Sequence, residues 1–362
     1  MKSLLEQILE SATPEEMLTF CKTQIENAET NLTPEIQKIL SRMYNAATGE
    51  ANTLIKTWLQ QKDMSKDQIR CVLGLIADYD YQAEFTEIAA NDGIIDPDDI
   101  LSNQEGYLLD ILTSGRIESL YQFSDEFMDE LISTQPGQRG VTVGPAEIAL
   151  MCLVKGCSQN SGPEKLKDEE MAAEIGSDLK MGKTGVEIKG IKAMLCSHKK
   201  PNAKKLLENI KKFTQKYNDG KEQREKIDID LSSYNDKNGG WITALGSEGL
   251  KNFGEECFND YIDKPQHKDA WLELLKSGLI QTQKQLLLSI ALWSLLEYQS
   301  RENFHHILII NNDLKTRYHY LNIDFTKNPT LDFLYNLCQD KLIVQSAIRN
   351  ANREELPKVT LI

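Results

Sequence analysis

The chain reads as a mixed α/β protein, an expectation that rests on three observations. Residues 176–191, GSDLKMGKTGVEIKGI, alternate apolar and polar around the turn composition Gly182–Gly185 and read as a β-hairpin. Short apolar strands return late, at His306 to Ile310, Lys341 to Gln345 and Lys358 to Ile362. The remaining segments carry helical spacing and helix-start signals. A sheet built from the middle and end of a chain, with helices between its strands, makes a mixed α/β domain.

A chain of 362 residues is long for one compact domain. We expect an all-α N-terminal domain over 1–135 and an α/β domain over 136–362, with a helical insertion at about 228–300. Thr13-Pro14-Glu15 and Thr33-Pro34-Glu35 look like capped helix starts with proline at the first helical position. Ser65 with Gln68 resembles a capping box before IRCVLGLIADY. Asn91-Asp92-Gly93 and Asp96-Pro97-Asp98-Asp99 have turn composition without the alternating ligands of an EF-hand. The linker is expected at 134–140, TQPGQRG. Gly144-Pro145 then opens a helix that is apolar nearly all round, and Glu147 is its one acid, in the first turn where the helix dipole favours a carboxylate.

After the hairpin comes a lysine-rich helical stretch ending near Lys226, and then further helices with breaks at Gly239-Gly240 and Gly246. The run Leu286 to Leu296 is too short to cross a bilayer, which takes about 20 residues, and reads as a buried helix. Trp241, Trp271 and Trp293 are expected in the core. No membrane association is expected, and the first residues, with acids inside their apolar stretch, do not resemble a secretory signal. Seven cysteines without a CxxC pair argue against a zinc site and for reduced thiols in a cytoplasmic setting. His305 and His306 are expected to pack in a buried strand rather than to ligate.

The net charge of −14 conceals an asymmetry. Residues 1–135 hold 25 acids against 9 Lys and Arg, whereas residues 179–226 hold 14 Lys and Arg against 5 acids. The basic block suits a phosphate backbone, and the acidic segment suits a protein partner.

On the hairpin, Glu187 and Lys189 fall on one face of the second strand and Val186 and Ile188 on the other. Symmetric closure around Gly182–Gly185 would set Lys180 opposite Glu187 and Asp178 opposite Lys189. Asp178 and Glu187 would then be diagonal neighbours roughly 7 Å apart. Two hard oxygen ligands at that spacing suit Mg²⁺, which completes its shell with water and phosphate.

Together Glu147 in GPAEIAL, Asp178 in GSDL and Glu187-Ile188-Lys189-Gly190 resemble the PD-(D/E)XK, or restriction-endonuclease-like, nuclease superfamily, whose order is helix acid, strand acid, E-x-K. More narrowly, they are similar to nuclease-like domains in virion proteins of tailed bacteriophages. Two positions depart from that pattern: Ser177 stands where many members have Pro or Gly, and the segment after Gly190 lacks a glycine-arginine pair. The resemblance implies a restriction-endonuclease-like core with a central mixed sheet. It implies Mg²⁺ or Mn²⁺ on Asp178, Glu187 and the backbone carbonyl of Ile188, with Glu147 as a supporting ligand. Lys189 would hold or deprotonate the attacking water, and hydrolysis of DNA would leave a 5′-phosphate. Lys192, Lys199, Lys200, Lys204 and Lys205 are the expected nucleic-acid contacts. The implied setting is the host cytoplasm, or the virion if the chain is phage-encoded. The alternative is a virion structural or assembly protein that uses the fold for binding with little or no cutting.

Overall fold

The computed structural model describes residues 49, 51–79, 81–113, 123–134, 146–160, 177–196, 203–231, 240–262, 265–346, 348–350, 354–355 and 357–362. The expected helix starts at Thr13 and Thr33, the linker beyond Thr134, the Gly144-Pro145 signal and Gly239 lie outside these residues. Among the described residues the fold is mixed α/β, with a six-stranded sheet in the order β1-β7-β6-β4-β3-β2. Its strands are β1 (Glu105–Tyr107), β2 (Cys157–Gln159), β3 (Leu179–Met181), β4 (Thr184–Lys189), β6 (His306–Ile310) and β7 (His319–Asp324). A three-stranded sheet joins β5 (Ala193–Met194), β11 (Lys358–Leu361) and β8 (Leu342–Val344), and β9 (Arg349–Asn350) pairs with β10 (Glu354–Glu355). Contacts divide the chain into two units. The first comprises Met1–Lys167, Asp178–Ile188 and Asn312–Tyr318; the second comprises Asp168–Ser177, Lys189–Asn311 and His319–Ile362.

In the first unit, helix α1 (residues 51–61) is followed by α2 (Lys66–Tyr79), α3 (Gln82–Ala90), α4 (Pro97–Leu101), α5 (Leu108–Thr113), α6 (Asp125–Ser133) and α7 (Glu147–Leu153). Ser65 and Gln68 form the expected box: the Ser65 amide donates to Gln68 Oε1 at 2.6 Å and the Gln68 amide to Ser65 Oγ at 3.3 Å. The described part of 1–135 is nevertheless not all-α, because Glu105–Tyr107 forms β1. Three residues containing a glycine carry no periodicity from which a strand could be read. Ile55, Trp58, Leu59, Phe85, Phe127 and Leu131 are buried here, and Phe85 meets Phe127 edge-on with centroids 5.5 Å apart.

The turn after α3 fixes the corner between α7 and β2. Amides of Ile94 and Ile95 donate to the Leu153 carbonyl at 2.7 and 2.8 Å, and the Lys155 amide donates to the Ile95 carbonyl at 2.9 Å. The same turn is held by Asp92, whose Oδ1 accepts from the Trp58 indole at 2.9 Å and pairs with the buried Lys62 ammonium at 2.6 Å. Its other oxygen accepts from the Gly156 amide at 3.2 Å. Partial burial opposes ionisation of Asp92, but the Lys62 and Trp58 hydrogen bonds and the Gly156 amide outweigh it and hold the carboxyl below its ordinary value. A group depressed on folding contributes stability above its unfolded pKa of about 3.9 and loses it as pH falls through the lower folded value. We therefore expect the midpoint of thermal unfolding to fall between about pH 5 and pH 3, and Asp92→Asn to flatten that dependence.

The second unit has one core. Helices α8 (Ala203–Asn218), α9 (Gly240–Cys257), α10 (Lys268–Lys276), α11 (Gln283–Glu302) and α12 (Leu331–Cys338) pack with the inner faces of β6, β7, β8 and β11. All three expected tryptophans are buried in it, and Trp271 stacks on Trp293 at 4.7 Å. The Leu286 to Leu296 run forms the middle of α11 and is buried nearly all round, behind a capping box of Thr282 and Gln285. Helix α9 kinks at Gly246 (φ 64°, ψ −179°), one of the expected breaks. Among the described residues no helix is long and apolar enough to cross a membrane.

Candidate functional site

The hairpin closes, but not in the symmetric register. Leu179 pairs with Val186, Lys180 with Gly185 and Met181 with Thr184. The loop is therefore the two residues Gly182 and Lys183 rather than four, with Gly182 at φ +62°. A positive φ at the first loop position is the geometry of a tight hairpin turn that glycine adopts without strain. The register consequently moves by two residues. Lys180 faces Gly185 and not Glu187; the paired residues end at Leu179–Val186, with Asp178 in the bend just before β3 and Glu187 the next residue along β4.

Asp178 and Glu187 each lie one residue past the last pair of the β3–β4 ladder, in place of the expected diagonal placement. Two backbone contacts hold Asp178 in line. Its carbonyl accepts from the Asn160 amide at 3.1 Å, extending the β2–β3 ladder, and its Oδ2 accepts from the Ile188 amide at 2.9 Å. The second is a charge-assisted bond that anchors the carboxylate beside β4. Glu187 is buried within β4 and Asp178 half-buried.

Glu147 begins α7, after Ala146 in the left-handed region (φ 70°), and is buried with every other residue of that helix. Helix α7 runs through Val154 and a tight turn into β2, the strand paired with β3. Among the described residues no group of three or more His, Cys, Asp or Glu side chains is placed to hold a metal ion, so Glu147 does not close a three-acid cluster with the hairpin acids. A pair of carboxylates still fits Mg²⁺ or Mn²⁺, since such an ion takes one or two protein carboxylates and leaves the rest of its shell to carbonyl, water and phosphate oxygens. Lys189 ends β4 on the same side as Glu187, and its ammonium lies 5.4 Å from the centre of the Tyr298 ring.

The register also brings up residues that carried no role in the sequence reading. Ser158 pairs with Lys180, so Ser158, Lys180, Gly185 and Glu187 share one face of β2–β3–β4, and just beyond the paired residues the Asn160 amide donates to the Asp178 carbonyl. Asn160 is buried. A strand of three residues, CSQ, gives no alternation that would have found it.

Of the expected nucleic-acid contacts, Lys192 is exposed in the turn after β4 at φ 55°, and its amide donates to Thr360 Oγ1 at 3.0 Å. Lys204 and Lys205 are exposed on α8, opposite its buried stripe of Ala203, Leu206, Ile210 and Phe213, and Lys205 pairs with Asp260 at 2.9 Å. Lys199 and Lys200 lie outside the described residues. Other buried polar groups have structural work. Glu297 Oε1 accepts from the Gln266 and His267 amides at 2.8 and 2.9 Å, at the start of α10. His306, buried in β6, is hydrogen-bonded to Asn322 at 2.9 Å. Burial pushes the Cys152 and Cys157 thiols up to about 12, which removes them as nucleophiles or thiolate ligands near neutral pH.

No protein-family model, curated protein or solved structure matches this chain.

Proposed function

We propose that this chain is a Mg²⁺-dependent DNA endonuclease of restriction-endonuclease-like architecture, hydrolysing phosphodiester bonds at Asp178 and Glu187. The observation that carries the proposal is the placement of Asp178 and Glu187 next to the last β3–β4 pair, with the Asp178 carboxylate bonded to the Ile188 amide and Lys189 following on the same strand. The sequence order of a helix acid, a strand acid and E-x-K gives further support, with Glu147 in the first turn of α7.

Asp178, Glu187 and the Ile188 carbonyl would hold Mg²⁺ or Mn²⁺, with Glu147 supporting them from α7. Bound there, the ion supplies Lewis acidity toward a phosphate oxygen and a more acidic water. Lys189 would hold the attacking water and offset negative charge developing on the phosphate. The exposed lysines, Lys192, Lys204 and Lys205, supply attraction for the DNA backbone. The acidic segment 1–135 repels that backbone and serves a protein partner.

Supercoiled plasmid incubated with the purified protein tests the reading. Nicking in Mg²⁺ or Mn²⁺, abolished by EDTA and by Lys189→Ala in a protein of unchanged circular dichroism, is the expected result. A second reading, a phage-particle protein that uses the fold for binding, is favoured by one observation: the hairpin acids gain no third acidic side chain among the described residues. Duplex binding without cleavage in either metal would select it.

A further inference from the structure

Resting on the proposed function, we propose that Lys180 is a phosphate-contacting residue of the same site, holding the nucleic-acid backbone beside the Asp178–Glu187 pair. Three features of the ladder lead there. Lys180 lies in β3 two residues past Asp178, and across the ladder it is the diagonal neighbour of Glu187. Directly across from it on β4 stands Gly185, which has no side chain, and on the other side stands Ser158 on β2, which is small. Neither cross-strand neighbour in the row Ser158–Lys180–Gly185 places a long side chain against the lysine stem. Lys180 is half-buried, yet forms no ion pair with a described residue.

A cation partly withdrawn from water normally gains a carboxylate partner or keeps its head in solvent. A third anionic group completes the charge balance once Asp178 and Glu187 are committed to an ion. A backbone phosphate is that group: it ligates the ion by one oxygen and accepts from an ammonium by another. Lys180 and Lys189 then divide two tasks. Lys189 follows Glu187 on β4 and serves the water, whereas Lys180, on β3, serves the ground-state phosphate.

The test is fluorescence anisotropy of a fluorescein-labelled duplex oligonucleotide, titrated with wild-type protein, Lys180→Met and Lys180→Arg over a series of salt concentrations. Ca²⁺ replaces Mg²⁺, because it satisfies the same oxygen ligands. Lys180→Met keeps the stem and loses the charge; it is expected to weaken binding about tenfold and to reduce the slope of log affinity against log salt by about 0.9. Lys180→Arg restores most of both. Thermal melts of all three proteins separate a lost contact from a lost fold. Unchanged affinity and slope in a folded Lys180→Met protein, or a wild type that does not bind the duplex, would overturn the proposal. Plasmid nicking by the same proteins distinguishes the two levels. Reduced slope with no nicking by any of them keeps the Lys180 contact and removes the endonuclease, whereas wild-type slope with normal nicking does the reverse.

Discussion

Glu187→Gln lowers the rate of plasmid nicking by about 10³-fold or more in Mg²⁺, with the fold retained. Glutamine has the shape of glutamate and the same hydrogen-bonding oxygen, so the buried position in β4 remains filled. It lacks the full negative charge that a hard divalent ion requires of a ligand. Glu147→Gln is expected to cost less, about 10- to 100-fold, because that acid supports the site from α7 without joining a three-acid cluster. Initial nicking rates at several Mg²⁺ concentrations measure both. If Glu187→Gln nicks like the wild type, then the buried acid has a structural role and the metal assignment fails.

Gly93→Ala destabilises the first unit by about 3 kcal/mol, and lowers its unfolding midpoint by roughly 6–10 °C. Gly93 has φ +109°, a conformation that alanine reaches only under strain. A Cβ built there lies 2.7 Å from the Val154 carbon and the Lys155 nitrogen, both backbone atoms that cannot rotate away. These atoms form the corner between α7 and β2, so relief of the clash moves the strand that ends beside Asp178. Gly74 provides the control. It sits inside α2 at ordinary φ with nothing within 4 Å of an added Cβ, so Gly74→Ala stabilises by about 0.5–1 kcal/mol. The two alanines should therefore shift the melting curve in opposite directions.

Local chemistry explains which elements the sequence revealed. Ser65 and Gln68 lie within one four-residue segment and satisfy one another's side chains and amides, so their helix start needs no distant partner. The strands at 306–310, 342–344 and 358–361 are short apolar runs bounded by polar residues, and were visible as such. Strand β7 was not. It is buried across its four central positions, Tyr320 to Ile323, and one of them is the polar Asn322, so neither alternation nor an unbroken apolar run marks it.

At the candidate site the residue types were legible and their register was not. Turn composition over Gly182–Gly185 admits a four-residue or a two-residue loop, and both keep Asp178, Lys180 and Glu187 on one face. The choice falls to backbone conformation at Gly182 and to cross-strand packing of Leu179 on Val186. It decides whether Lys180 stands opposite Glu187 or opposite Gly185. Asn160 was hidden for a different reason: it reaches the site through β2, a strand defined only by its pairing to β3.

The most direct test of the acid pair is a crystal of the protein soaked in Mn²⁺, with anomalous scattering recorded at the manganese edge. The account predicts a peak about 2.1–2.2 Å from carboxylate oxygens of both Asp178 and Glu187 and from the Ile188 carbonyl. Asp178 and Glu187 carboxylates that diverge beyond a shared ion, with no peak between them, would contradict it.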